Sequence, residues 1–219
     1  MTTRQPRTRQ EDRPAPNLQF AELASADRIA ATAAALERNG MRALVADTGQ
    51  DARRQVLELL PDGAEVFNAT SRTLETIGVA EEIERSGRYR AMRPRLYQMD
   101  RLMQGREMRK AAAAPDYYVG SVHAVTEQGS LVIASASGSQ LGPLVTGAGT
   151  VIVVAGAQKI VPDLEAGMRR IQEYCYPMED ARARQAYGIP SGINNILIVN
   201  RLLAPDRMIV ILVGEQLGF

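Results

Sequence analysis

The chain has one cysteine, Cys175, one histidine, His123, and no tryptophan in 219 residues. A Cys/His zinc site and an iron–sulfur cluster each need several such ligands, and a disulfide within the chain needs two cysteines, so all three are excluded. Lysine is almost as scarce. Of 26 basic residues only Lys110 and Lys159 are lysines, and the other 24 are arginines. Against 25 acidic residues this gives a formal charge of +1, so no overall bias toward nucleic acid or an anionic membrane exists. Long apolar runs are missing too. None approaches the roughly 18 to 20 residues of a membrane span, and the arginine-rich start lacks the apolar core of a signal peptide. These absences predict a soluble, cytoplasmic protein with no membrane contact and no metal, iron–sulfur cluster or structural zinc of its own.

What is present points to an α/β fold. Residues 1–19 hold arginines, prolines and few apolar side chains, and are expected as a disordered tail ahead of one domain over 20–219. Ser25 reads as the N-cap of a helix carrying Ile29, Ala33 and Leu36, stopped at Asn39-Gly40. Arg42 to Val45 is a short strand, followed by a helix from about Asp51 to Leu60. Glu65 to Phe67 is a second strand, followed by a helix carrying Leu74 and Ile77 that Thr70 or Ser71 can cap. Strand, polar turn and helix thus occur twice, as in a parallel sheet with crossover helices. A helix is expected from about Arg95 to Ala113 after a break at Pro94, with Met92, Leu96, Met99, Leu102 and Met103 toward the core.

The stretch from Asp116 to Leu164 is the most unusual. Tyr117 to Val125, Leu131 to Ala134 and Val151 to Ala155 are runs of buried-strand character, and Thr126-Glu127-Gln128-Gly129-Ser130 joins the first two too closely for a helical crossover. They are expected as an antiparallel hairpin. Pro162 opens an amphipathic helix with Leu164, Met168 and Ile171 that ends near Tyr176-Pro177, a short helix follows over Glu179 to Tyr187, and Asn195 to Val199 and Met208 to Val213 close the chain as two strands. The fold class is therefore α/β, with about seven strands in a mixed, mostly parallel central sheet flanked by helices, and one antiparallel hairpin around residues 117–134.

Several residues stand out chemically. Lys159, retained where arginine is the rule, lies past a strand and before a helix start, where a compact ammonium suits an anion; a surface lysine would look the same. Glu127 reads either as a carboxylate acid/base or as an exposed turn residue. His123 lacks Ser/Asp or Cys partners nearby and fits a hydrogen-bonded sheet residue. Ser135, Ser137 and Ser139 with Gly138 could line an anion pocket or form a plain loop. Gly147-Ala148-Gly149 precedes a strand instead of following one, so it is not a dinucleotide fingerprint, and there is no Walker A or G-x-S-x-G sequence. Nine basic residues with Tyr89 and Tyr97 lie between Arg85 and Lys110, but their helical spacing makes them a solvated face, and nucleic acid is not the expected partner.

Three blocks in order carry a family likeness: Tyr118-Val119-Gly120-Ser121-Val122-His123-Ala124-Val125-Thr126-Glu127-Gln128-Gly129, then Ile152 to Ala166 including Gly156-Ala157-Gln158-Lys159, then Arg207 to Phe219. They resemble the LUD (lactate-utilization) domain family. The resemblance implies a fold like that of ribose-phosphate isomerase and coenzyme A transferases. It also implies a link to bacterial lactate or organic-acid utilization, in which some members are encoded with iron–sulfur and flavin-linked subunits. Members of this branch often have asparagines where this chain has His123 and Gln158, and cysteines where it reads Ile189 to Asn195. The reading that follows is a domain binding a small anionic metabolite, a carboxylate or phosphate, at the carboxyl ends of its strands. Lys159 and the Ser137-Gly138-Ser139 loop would hold the anion, Thr48, Gly49, Thr70 and Ser71 would line the opposite wall, and Glu127 would be the acid/base. The alternative is a non-enzymatic accessory subunit docking to iron–sulfur or flavin partner proteins. Self-association into a homo-oligomer is open in both.

Overall fold

Local signals set most of the helix boundaries. The computed structural model describes residues 15–100 and 102–219, so most of the tail expected over 1–19 lies outside the described residues. Ser25 accepts a hydrogen bond from the Arg28 amide and opens α1 (Ala26–Arg38), which ends at Asn39 and the left-handed Gly40. Strand β1 (Arg42–Ala46), helix α2 (Gly49–Leu59) with Thr48 as its N-cap, and β2 (Glu65–Asn68) follow. Ser71 caps α3 (Arg72–Thr76), and α4 (Val79–Arg85), a short β3 (Arg90–Ala91), α5 (Met92–Gln98) and α6 (Gly105–Ala113) complete the first half. The second half holds β4 (Tyr117–Gly120), β5 (Ala124–Thr126), β6 (Leu131–Ser135), β7 (Thr150–Gly156) and β8 (Ile160–Val161). Helix α7 (Leu164–Arg170) continues through a π-helical turn, Ile171–Cys175, into α8 (Tyr176–Tyr187), and β9 (Asn195–Val199) and β10 (Met208–Val213) follow.

Six strands form a sheet in the order β1-β10-β7-β4-β2-β3, parallel at every pairing. Alternate side chains feed two apolar layers. On one face Tyr118, Val151, Val153, Val210 and Leu212 pack with Leu36 of α1 and with Val125, Leu131 and Ile133 of the second sheet. On the other, Val66, Val119, Ile152, Val154 and Ile211 meet Ala52, Val56, Leu74 and Ile83 of α2, α3 and α4. The second sheet, β8-β5-β6-β9, is mixed: β5–β6 and β6–β9 are antiparallel and β5–β8 is parallel.

The α/β architecture is as expected, with three differences in detail. The apolar run 117–125 is two strands, because the chain leaves the central sheet at Gly120 and Ser121. Gly120 lies under the Tyr118 ring, whose nearest atoms a Cβ would meet at 2.5 to 2.8 Å. The hairpin therefore belongs to the smaller sheet, and so does the antiparallel pairing. With that split and the two-residue strands β3 and β8, too short to leave a pattern, the strands number ten among the described residues.

The helix expected over 95–113 is also two. The Asp100 carboxylate accepts from the amides of Leu102 and Met103, a local turn that competes with helix and leaves those side chains 95% and 82% exposed. Pro94 sits within the first turn of α5, where its missing N–H breaks no bond. Finally, Pro162 precedes its helix: the N-cap is Asp163, whose side chain accepts from the Ala166 amide, and Pro177 lies in the first turn of α8.

The β5–β6 turn docks against the end of α1, where the Asn39 side chain donates to the carbonyls of Gln128 and Gly129. Gly129 has φ +81°, and a Cβ there would lie 2.6 Å from the carbonyl carbon of Ala35. Gly129→Ala should therefore destabilise the fold by about 2 kcal/mol or more, read as a shift in urea unfolding midpoint.

Candidate functional site

All strands of a parallel sheet end on the same edge, and here that edge collects polar groups. Lys159 ends a 3-10 turn, Ala157–Lys159, just after β7, and is 2% exposed. Its Nζ donates to the Thr73 Oγ1 of α3 and to the Ser121 Oγ beyond β4, both at 3.0 Å. The hydroxyl protons are already committed, Thr73 Oγ1 donating to the Leu217 carbonyl at 3.1 Å and Ser121 Oγ to the Val154 carbonyl at 2.6 Å. Both oxygens thus turn lone pairs toward the amine.

A second buried cation lies close by. Arg170, at the end of α7, has no solvent exposure. Its Nε donates to the carbonyl of Gln158, the residue before Lys159, at 3.2 Å; its Nη1 donates to the His123 carbonyl and to Cys175 Sγ, while Nη2 is buried without a partner among the described residues. Its guanidinium also stacks over the Tyr174 ring. The ion pairs among the described residues use other arginines, and none brings a carboxylate to Lys159 or Arg170.

This environment shifts the titrating groups in one direction. Burial, reinforced by the Arg170 charge, lowers the Lys159 amine to about 7. Burial, with Lys159 and Arg170 adding to it, lowers His123 to about 3. Geometry agrees: His123 Nδ1 accepts from the Ala134 amide at 3.1 Å, so the ring is neutral with its proton on Nε2. Burial raises the Cys175 thiol, which makes it an inert packing group.

The chain after β10 folds over this edge. The Gln158 side chain donates to the carbonyls of Leu217 and Gly218 and accepts from the Leu217 amide. A Cβ on Gly156 would lie 2.3 Å from Gln158 Oε1, and one on Gly218 would lie 2.6 Å from Thr73 Oγ1, so both glycines are needed for the close approach. Glu215 reaches α2, where its Oε2 accepts from the Gly49 amide at 2.8 Å.

The residues singled out in the sequence go to different places. Lys159 is central. Thr70 and Ser71 form the turn leading to Thr73, but Thr70 is exposed, Ser71 is occupied as a cap, and Thr73 makes the contact. Thr48 caps α2, and the Gly49 amide is taken by Glu215. Glu127, half-exposed at the hairpin tip, is ion-paired to Arg28 of α1 at 2.8 Å and has no contact with Lys159. Ser137, Gly138 and Ser139 form a loop bonded within itself and to Ser135, after β6 in the second sheet. Two open clefts of about 510 and 540 Å³ on the outer side of α2, α3 and α4 contain none of these residues; they lie among charged side chains such as Arg53, Arg54 and Glu82.

Sequence reasoning missed Thr73, Ser121, Gln158 and Arg170 as site members. Ser121 carried a signal, a hydroxyl interrupting an apolar run at a strand end. Arg170 carried none among so many arginines.

The model of the LUD domain matches residues 29–213. The chain belongs to the LUD domain family. Among solved structures, this LUD domain is similar to a DUF162 family protein from Deinococcus radiodurans, known from a crystal structure at 1.70 Å resolution. The two share 12% identity over 88% of this chain and 100% of that one, with a TM-score of 0.55, a likeness that shows the fold. eIF2B beta from Chaetomium thermophilum is 12% identical over 64% of this chain and 44% of that one, with a TM-score of 0.27, too distant to bear on this LUD domain. Among curated proteins, none matches. Thr73, Ser121, Lys159 and Arg170 all lie within the family match, and Glu215 and Leu217 just beyond it.

Two pH dependences follow for this LUD domain. Lys159 titrates at about 7 in the fold against an ordinary value of 10.5, so between those values the unfolded chain holds more protons and stability rises with pH. Lys159→Met, of similar shape without the charge, should remove that rise, a slope of up to about 1.4 kcal/mol per pH unit, in urea unfolding compared between pH 7 and 10. His123, lowered from 6.5 to about 3, makes stability fall as pH drops through that window. His123→Asn should lessen this acid sensitivity relative to the native chain, read as Tm against pH.

Proposed function

We propose that this LUD domain binds a small anionic metabolite, a carboxylate or phosphate, at the carboxyl ends of β4 and β7. One observation carries the reading: the Arg170 guanidinium is fully buried with an unpartnered Nη2, it bonds the carbonyl of Gln158, the residue before the buried Lys159, and among the described residues no carboxylate neutralises it. A buried unpaired cation opposes folding by several kcal/mol, and a buried donor without an acceptor adds to that. An anion accepting from Arg170 Nη2 would relieve both penalties at once, with the Lys159 amine near enough to feel the same charge. Ser121, the half-buried member, marks the side from which it enters.

The other positive site on the same edge does not compete. At the start of α2 the chain's own Glu215 supplies the negative charge. The family's association with lactate and organic-acid use fits a carboxylate ligand, and metabolism of that kind would place the protein in the cytoplasm, where Cys175 stays reduced.

Thermal-shift measurement with lactate, other hydroxy acids, sugar phosphates and acyl-coenzyme A tests the proposal. At least one anion should raise Tm by about 5–10 °C at a hundredfold excess over Kd. Its uncharged amide or ester should not, and Lys159→Met and Arg170→Met should each abolish the shift. No stabilisation by any of these anions, or a shift unchanged in both variants, rejects the site.

A further inference from the structure

Lys159 is held in a way that an anchoring ammonium does not require. Its nitrogen has two hydrogen-bond partners, and each is a hydroxyl oxygen whose proton is spent on a backbone carbonyl, Thr73 on Leu217 and Ser121 on Val154. Two N–H bonds fill both acceptors. Among the described residues the remaining tetrahedral position of Nζ has no partner, and no carboxylate lies near to favour a third proton. A neutral amine satisfies this arrangement completely, with two donated hydrogens and a lone pair left over. An ammonium would leave one N–H unmet in a buried site next to the Arg170 guanidinium, and the amine's titration near neutrality agrees with the neutral form. A desolvated lysine beside a second cation is a carbonyl nucleophile.

We infer that the ligand carries a carbonyl next to its anionic group, as in a 2-oxo acid, and that Lys159 Nζ condenses with that carbonyl to form an imine. The inference rests on the anion site proposed above. In this step the lone pair of Nζ attacks the carbonyl carbon, forming the C–N bond as the C–O π pair moves to oxygen. Both amine hydrogens leave with that oxygen as water, and the C–N double bond closes. Ser121 Oγ, which touches the nitrogen and is half-buried, is placed to relay these protons outward. Arg170 Nη2, the donor left free, is the group for the ligand's carboxylate.

The two lysines make the test direct. The full-length protein is incubated at pH 7 with pyruvate, glyoxylate or 2-oxoglutarate and sodium cyanoborohydride, whose hydride converts the imine to a stable secondary amine, and the adduct is mapped by peptide mass spectrometry. The Lys159 peptide should be labelled in excess of the exposed Lys110 peptide by on the order of tenfold or more, because its neutral-amine fraction is far larger. Lactate, which has a hydroxyl where a 2-oxo acid has its ketone or aldehyde carbonyl, should give no label and should slow labelling by a 2-oxo acid. Lys159→Arg should lose the label while Lys110 keeps its background. Since mapping of the native chain decides the matter, a variant that fails to fold leaves the outcome readable. Label absent from Lys159, or no greater there than at Lys110 and the N-terminal amine, overturns the imine. If anions still stabilise the protein in that case, the binding site stands and only the chemistry assigned to it fails.

Discussion

A lysine nitrogen buried between two hydroxyls that can only accept is the constraint on which the carboxyl edge of the central sheet turns. It requires Thr73 and Ser121 to spend their protons on the carbonyls of Leu217 and Val154, and so requires the last residues of the chain to lie across the sheet edge. It also explains why glycine stands at 156 and 218, where any side chain would push apart the strand end, the returning segment and α3. Removing the amine would leave the hydroxyls bonded to their carbonyls, so the network is built around the amine without depending on it for folding.

The parallel sheet supplies the setting. Because β4, β7 and β10 all point the same way, the turn after each delivers one component: Ser121, then Lys159, then Glu215 and Leu217. The edge then divides by charge. Over α2 the helix N-terminus and Glu215 neutralise each other, whereas beside β4 and β7 the Arg170 guanidinium and the Lys159 amine face neutral groups among the described residues. The contrast within one edge makes the second region stand out, since its positive charge is not matched by a carboxylate among the described residues.

Much of the architecture was legible from local chemistry. Ser25 and Ser71 each cap the helix that follows them, and the β-branched runs of β7 and β10 are the buried centre of the sheet. What misled was local chemistry of the same kind acting against the pattern, as when the Asp100 turn cut a helix whose apolar spacing continued past it. At the sheet edge, Lys159 was conspicuous from its scarcity and its place between a strand and a helix start. Its partners were not, because Thr73 lies 86 residues away and Ser121 38, and nothing in a sequence fixes which of many hydroxyls meets an amine across a sheet. Glu127 shows the converse: a glycine turn marks it as conspicuous, and the ion pair that holds it comes from Arg28, 99 positions earlier.

The π-helical turn between α7 and α8 has a bearing on this arrangement. Arg170 Nη1 meets the sulfur of Cys175, five positions on, a separation that ordinary 3.6-residue winding carries round to a neighbouring face. The widened turn is therefore what lets one stretch of helix both send a guanidinium inward and cushion it with a polarisable thiol. Deleting one residue from that turn would rotate α8 by about 100° relative to α7, turning the cysteine away and leaving the arginine without its soft neighbour.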